Sequence, residues 1–211
     1  MVRWGDLGML SLDHLAVAAR DLDEGRAAVE TALGVRLKPG GKHARFGTHN
    51  LLLGLEDGMY LEVIAIDPEA PGPEGARWFD LDRFDAAPKL QTWICRSDDL
   101  GDALVRYPQA GEPVSLARGD LRWRMAVPRD GRLPFGGVFP ALMQWQGDAH
   151  PAERLTASGC ALARLVVRHP EAGRLADLLG PDLRDDRVVF ERGAAGLRAE
   201  ISTPGGLRAL E

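Results

Sequence analysis

Two stretches of this chain, residues 10–68 and 89–147, run through the same succession of signals: a β-prone run, a capped helix, then three more β-prone runs. That repeat constrains the fold more than any single motif, because each copy has to be the same supersecondary unit. In the first copy, residues 11–18 alternate, with Leu15 and Val17 pointing one way and Leu12, His14, Ala16 and Ala18 the other, which predicts a strand. Asp21 with Glu24 forms a capping box for a helix whose buried stripe is Leu22, Val29 and Leu33 and which stops at Gly34. Residues 35–38 make the next strand and Pro39-Gly40-Gly41-Lys42 a polar loop. Residues 51–53 and 60–66 form a hairpin turned at Glu56-Asp57-Gly58.

In the second copy, residues 90–96 form the first strand and Asp99-Leu100 opens a short helix through Tyr107. Residues 112–117, 121–127 and 138–145 follow as three strands. Aligning Asp21-Leu22 with Asp99-Leu100 sets Thr92 where His14 stands. The connector, residues 69–88, is rich in Pro, Gly and acids, yet carries Trp78 and Phe79. Two large aromatics there predict that it folds back onto the body, as part of a lid or as plain packing.

A smaller third copy occupies residues 158–207: a strand at 161–168, a helix begun at His169-Pro170 and stopped at Gly180, and segments around Leu183, 188–191 and 197–202. Matching Arg20 with Arg168 puts Leu162 in the place of His14, and matching Gly58 with Gly196 puts Glu200 in the place of Glu62. The fold class read from this pattern is α+β: tandem βαβββ units, with a third, smaller βαβββ-like unit at the C-terminus.

Charge narrows the partners. A net charge of −5 and a pI near 5.6, with arginines scattered among acids, give no basic field for nucleic acid and favour a small molecule or a protein. The two cysteines, Cys95 and Cys160, sit in neither a metal nor a redox spacing, which suits a reducing cytoplasm. No run approaches the length of a membrane span, so the reading is a soluble cytoplasmic protein.

The chemistry concentrates between His43 and Ile66. Glu62 lies in the middle of an apolar strand, entered through a loop carrying His49 and Asn50 with His43 upstream. If it is buried it needs a cation, a metal ion or a raised pKa; otherwise it lies on the wetter face of the sheet. His14 faces away from the helix, as a ligand, a proton carrier or a satisfied core residue. His150 stands in a His-Pro corner after the last strand of unit two; His49 reads as a surface loop histidine, His169 as a helix cap and Asn50 as a brace for its loop. Arg118, Arg122 and Arg124 are placed to rim a site, although solvation is the simpler account of the last two.

Tandem βαβββ units with a histidine on the first strand and a glutamate on the fourth resemble the vicinal-oxygen-chelate superfamily, which includes glyoxalases, extradiol dioxygenases and antibiotic-resistance binding proteins. Within it, LDHLAVAARDL, the GGKHARFGTHNLLLGLEDGMYLEVIA run and the FPALMQW…HP segment resemble the glyoxalase-like domain family, over residues 10 to about 180. The resemblance implies that paired units curl a mixed sheet into a bowl, with a divalent metal ion at its base held by one residue from the first and one from the fourth strand of each unit. In this chain those positions are His14 and Glu62, then Thr92, a poor ligand, and Gln144 after an insertion. The resemblance also places His43 and His150 in recurring motifs, as catalytic proton carriers.

Two functions follow from the resemblance: a metal-dependent lyase, isomerase or dioxygenase acting on a small oxygen-rich metabolite, or a metal-free small-molecule-binding protein of the resistance kind, in which Glu62 hydrogen-bonds the ligand. A third, lower-ranked reading is a regulatory or scaffolding protein. Two units close a bowl and the third is left over, with Leu162, Arg164, Val166, Leu197 and Ala199 on a face to be covered, so a homodimer is also expected.

Overall fold

The computed structural model describes residues 10–183 and 185–211. Eight strands make one curled mixed sheet: β1 (Ser11–Ala18), β2 (Lys38–His43), β3 (Thr48–Gly54), β4 (Tyr60–Ile66), β5 (Lys89–Arg96), β6 (Glu112–Arg118), β7 (Leu121–Val127) and β8 (Ala141–Trp145). Their spatial order is β2-β3-β4-β1-β5-β8-β7-β6. β1 runs parallel to β4 and β5 parallel to β8, while β1 and β5 meet antiparallel at the centre. The two units are therefore related by a local two-fold, and the repeat read from the sequence is the repeat of the fold. Helices α1 (Leu22–Leu33) and α2 (Leu100–Arg106) flank the outer face; the Asp21 and Asp99 carboxylates accept from the backbone N–H groups of Glu24 and Asp102, and Gly34 closes α1 in the left-handed region at φ 71°.

The first strand of each unit carries an extra residue. Opposite β5, register is lost between Leu12 and His14, so Asp13 bulges from β1; opposite β1 it is lost across Gln91 in β5. Leu12 consequently shares the outer core with Leu15 and Val17, where strict alternation had grouped it with His14. Leu90 and Trp93 keep the same spacing around Gln91.

The third unit comprises β9 (Ala161–His169), α3 (Ala172–Leu179), β10 (Val188–Arg192), β11 (Gly196–Thr203) and β12 (Gly206–Leu210). Its element order matches the other units, but its sheet runs β10-β9-β11-β12. The segment at Leu183 makes only an isolated bridge to Leu10, and the last strand lies instead beyond the Pro204-Gly205 turn. β9 repeats the bulge at Ala163, which puts Arg164 rather than Leu162 in the place of His14. Glu200 pairs with Arg164 on an antiparallel strand, so it is not the counterpart of Glu62 on its parallel one.

This small sheet covers the outer face of the large one. Leu162, Leu165, Leu197, Ala199 and Ile201 join Leu15, Leu61 and Trp93 in one buried core. The face that motivated the expected homodimer is thus covered within the chain, and Arg164 turns the other way to Glu191 (2.9 Å).

Two local readings of the first unit change. β2 runs through Pro39-Gly40-Gly41-Lys42, an edge strand with an irregular register and not a loop, where a missing ladder donor at proline is tolerated. The connector carries a 3-10 segment, Trp78–Arg83, whose two aromatics are buried on the inner face. Among the described residues no helix is long and apolar enough to cross a membrane.

Candidate functional site

Polar side chains gather at one place on the inner face of the bowl. β1 delivers His14, β3 Asn50, and β4 Tyr60 and Glu62; Arg118 reaches in from the far edge of the sheet, because β2 and β6 approach each other there. With Trp78 and Phe79 above and Trp123, Met125, Met143 and Trp145 opposite, they enclose a cavity of about 30 Å³. That is the room of one water molecule.

Asp13, the bulged residue, organises one side. Its Oδ1 lies 2.6 Å from His14 Nδ1, and its Oδ2 accepts from Arg96 (3.2 Å), the Trp145 indole (3.0 Å) and His150 Nε2 (3.1 Å). Burial pushes this carboxyl upward, but the hydrogen bonds from His14 and His150 outweigh it and hold the group well below the usual carboxylate range. An ionised Asp13 requires the proton of His14 on Nδ1. Nε2 then faces the cavity and Glu62, whose Oε1 is 3.8 Å away. Tyr60 stacks on the imidazole at 4.2 Å and fixes its plane; burial, with Asp13 and Glu62 nearby, pushes the Tyr60 phenol far above its ordinary pKa.

The other side is built on Asn50. Its Nδ2 donates to Glu62 Oε2 (2.7 Å), and its Oδ1 accepts from the Gly41 amide (2.8 Å) and Arg118 Nη1 (3.3 Å). The same Nη1 lies 3.1 Å from His43 Nε2, and His43 Nδ1 is 3.0 Å from Thr48 Oγ1. Two glycines make room for this arrangement: a Cβ on Gly40 would fall 2.0 Å from Asn50 Oδ1, and one on Gly41 would fall 2.7 Å from Arg118 Cδ. The GGK segment of β2 is therefore the mould in which Asn50 and Arg118 are cast.

Of the residues expected at the site, the structure brings His14 and Glu62 together and buries Glu62, which decides against the solvated reading. His43 borders the cavity, but a guanidinium can only donate, so its Nε2 lone pair is committed to Arg118. Burial first, and Arg118 second, push this imidazole down to about 3, so near neutral pH the ring is neutral, with its one proton on Nδ1 and its Nε2 lone pair steering Arg118. His150 is one step removed: Nδ1 accepts from the Ala152 amide and Nε2 donates to Asp13, which makes it a positioning residue. Gln144 does not join. Met143 and Trp145 point into the bowl, so Gln144 points out, where its amide bridges the Asp98 carbonyl and the Leu100 amide at the start of α2. The strand register pairs Ala16 with Glu62 and Ile94 with Ala141, making Ala141 the true counterpart of Glu62.

The donor set does not fit a divalent metal ion. Unit one offers one imidazole and one carboxylate, already engaged with Asn50, while unit two offers Thr92 and Ala141. Among the described residues no group of three or more His, Cys, Asp or Glu side chains is arranged to hold a metal. Gln144 thus drops out of the expected set of His14, Glu62 and Gln144, and Arg118 is linked to Glu62 through Asn50.

Sequence reasoning passed over Asp13 altogether and left Arg118 at the rim. The signal for Asp13 was present as an acid next to a histidine inside an apolar strand, in LDHL. Arg118 could not be placed, because it reaches the site only when the two sheet edges approach.

The sequence matches the profile of the glyoxalase-like domain over residues 12–182. Among solved structures, a hypothetical protein from Staphylococcus aureus superposes with a TM-score of 0.63 at 13% identity, covering 96% of this chain and 98% of that one. Methylmalonyl-CoA epimerase from Mycobacterium tuberculosis matches at 23% identity with a TM-score of 0.44, over 71% of this chain and 94% of that one. No curated protein matches. The profile spans most of the chain and both units of the bowl, and the chain belongs to the glyoxalase-like domain family of the vicinal-oxygen-chelate superfamily.

Proposed function

We propose that the protein is a proton-transfer enzyme of the isomerase or lyase kind, acting without a metal on a small carbonyl compound that carries a carboxylate. The observation that supports this most is the Asp13–His14 pair: a buried carboxylate holds the imidazole by Nδ1 and turns Nε2 toward a cavity shared with Glu62 and Arg118. In such a site His14 Nε2 takes the proton from the carbon next to the carbonyl. The electron pair of that C–H bond moves into the carbonyl, and the enolate oxygen is held by Arg118 N–H groups not engaged with Asn50 and His43. Return of a proton to the same carbon reforms the carbonyl compound, with exchange against solvent when it is delivered to the original face and inversion of that carbon when it is delivered to the opposite one. Positioned bases of this kind contribute roughly 10²- to 10⁴-fold in rate.

The test is solvent exchange. Full-length protein in deuterated buffer is incubated with pyruvate or 2-oxobutyrate, and loss of the C3 proton signal is followed by NMR. The reading expects exchange above the buffer rate that disappears in His14→Gln and in Arg118→Gln. Binding without exchange would replace it by the metal-free binding protein; exchange that survives both substitutions would sink it.

A further inference from the structure

The cavity at His14 is too small for any carbonyl acid, but it has a neighbour. Phe79 forms a wall of that cavity and also of an open pocket of about 430 Å³ between β5 and the 130–137 loop. Such a volume is in the range of small-molecule sites. The partition is held by contacts that leave it strained. Phe79 and Asp80 both sit in the left-handed region, at φ 59° and 57°, which residues with a Cβ rarely adopt. Gln91, the bulged residue of β5, donates to the Phe79 carbonyl (2.9 Å), and the Asp80 amide donates to the Gly131 carbonyl (2.9 Å). The Trp78 indole N–H beside it is buried with no acceptor. A ligand that supplied an acceptor to the Trp78 indole and let the two left-handed residues relax would offset part of the cost of displacing Phe79 from these contacts.

The charges of the pocket are unequal. Asp80 is already paired with Arg83 (2.7 Å) and Arg132 (3.6 Å), and Asp130 Oδ1 accepts from the Arg132 amide (3.0 Å). Lys89, exposed at the wall, lies 5.9 Å from the Phe84 ring centroid and has no carboxylate partner among the described residues. What the pocket has left to offer a solute is therefore the Lys89 ammonium beside an apolar wall of Phe79, Leu133 and Phe135, with the Asp130 carboxylate, which the Arg132 amide hydrogen-bonds but does not neutralise, on the facing loop.

We propose that this pocket is the second half of the ligand site: it takes the chain and terminal carboxylate of a dicarboxylic 2-oxo acid whose carbonyl end reaches His14 past Phe79, with Lys89 selecting the second carboxylate. The proposal rests on the proton-transfer reading and adds to it the class of substrate and the side from which it approaches.

Calorimetric titration of the full chain with pyruvate, 2-oxoglutarate and 2-oxoadipate tests both. The longer diacids are expected to bind about tenfold or more tightly than pyruvate, the ratio one well-placed ion pair of about 1.4 kcal/mol gives. In Lys89→Gln that ratio should fall to about twofold, and Lys89→Arg should restore it. A preference that persists in Lys89→Gln, or none in the parent, overturns the proposal; if pyruvate still binds and loses its affinity in Arg118→Gln, the proton-transfer site stands without its second half. Failure of all three acids to bind the parent protein overturns both. Phe79→Ala should raise the stopped-flow association rate of 2-oxoadipate several-fold, and an unchanged rate would rule out Phe79 as the partition.

Discussion

Replacing His43 with glutamine should flatten the fall of stability toward acid, and the size of the effect follows from one fixed tautomer. Arg118 Nη1, 3.1 Å away, can only donate, so Nε2 of His43 accepts and the ring proton sits on Nδ1, toward Thr48 Oγ1. Protonating the ring would set two N–H groups against each other beside a cation, in a site only 6% exposed. Burial and then Arg118 lower the imidazole from 6.5 to about 3. Between those values the unfolded chain carries a proton that the folded chain does not, so the stability contributed by the neutral ring is present above the unfolded pKa and is lost as pH falls through this window. One pKa unit is worth about 1.4 kcal/mol, so by about pH 5 the loss reaches about 2 kcal/mol. Asp13 titrates far lower and does not interfere. Urea unfolding of parent and His43→Gln proteins at about pH 7 and about pH 5 gives the difference, with the parent losing about 2 kcal/mol more than the variant. Equal losses would refute the tautomer and the role drawn from it.

Asp13→Asn should leave circular dichroism unchanged and lower the deuterium exchange rate by about 10²-fold, since a neutral amide no longer holds the imidazole by charge; a rate within twofold of the parent would disprove the pairing. Gly40→Ala, whose methyl would meet Asn50 Oδ1 at 2.0 Å, should cost about 1–3 kcal/mol in urea and abolish pyruvate binding, and normal binding would show that the mould is not needed. A chain ending at Ser158 should not fold: it uncovers Leu15, Leu61 and Trp93, and losing about 1.5–3 kcal/mol for each large apolar side chain consumes much of a typical stability. A soluble fragment with a cooperative unfolding transition would contradict this.

What the sequence made legible was whatever depends on neighbours along the chain. Caps at Asp21 and Asp99, the stop at Gly34 and the tandem units are local signals, and the structure places them as read. The shared face of His14 and Glu62 followed from period-two alternation in β1 and β4, whereas the burial of Glu62 was left open between two readings. Alternation failed where β1 gains a residue, at Asp13, and misplaced Leu12, while in the third unit the match of Arg20 with Arg168 fell out of step and assigned Leu162 to the position held by Arg164. Gln144 was reached by matching a motif, whereas parity along β8 turns it toward α2. Arg118, Asn50 and the two glycines that seat them are far apart in sequence, and no periodicity reports the meeting of sheet edges.

The bulge in the first strands bears on how such a protein can change. An extra residue in a strand has no cross-strand partner, so its identity is released from the packing code that binds Leu12 and Leu15, or Leu90 and Trp93. The three units fill this slot differently: Asp13 orients an imidazole, Gln91 clasps the Phe79 carbonyl, and Ala163 does neither. A chain with such positions can try a new polar group at the heart of a folded sheet without first surrendering a core residue, and duplication hands every copy the same place for the experiment.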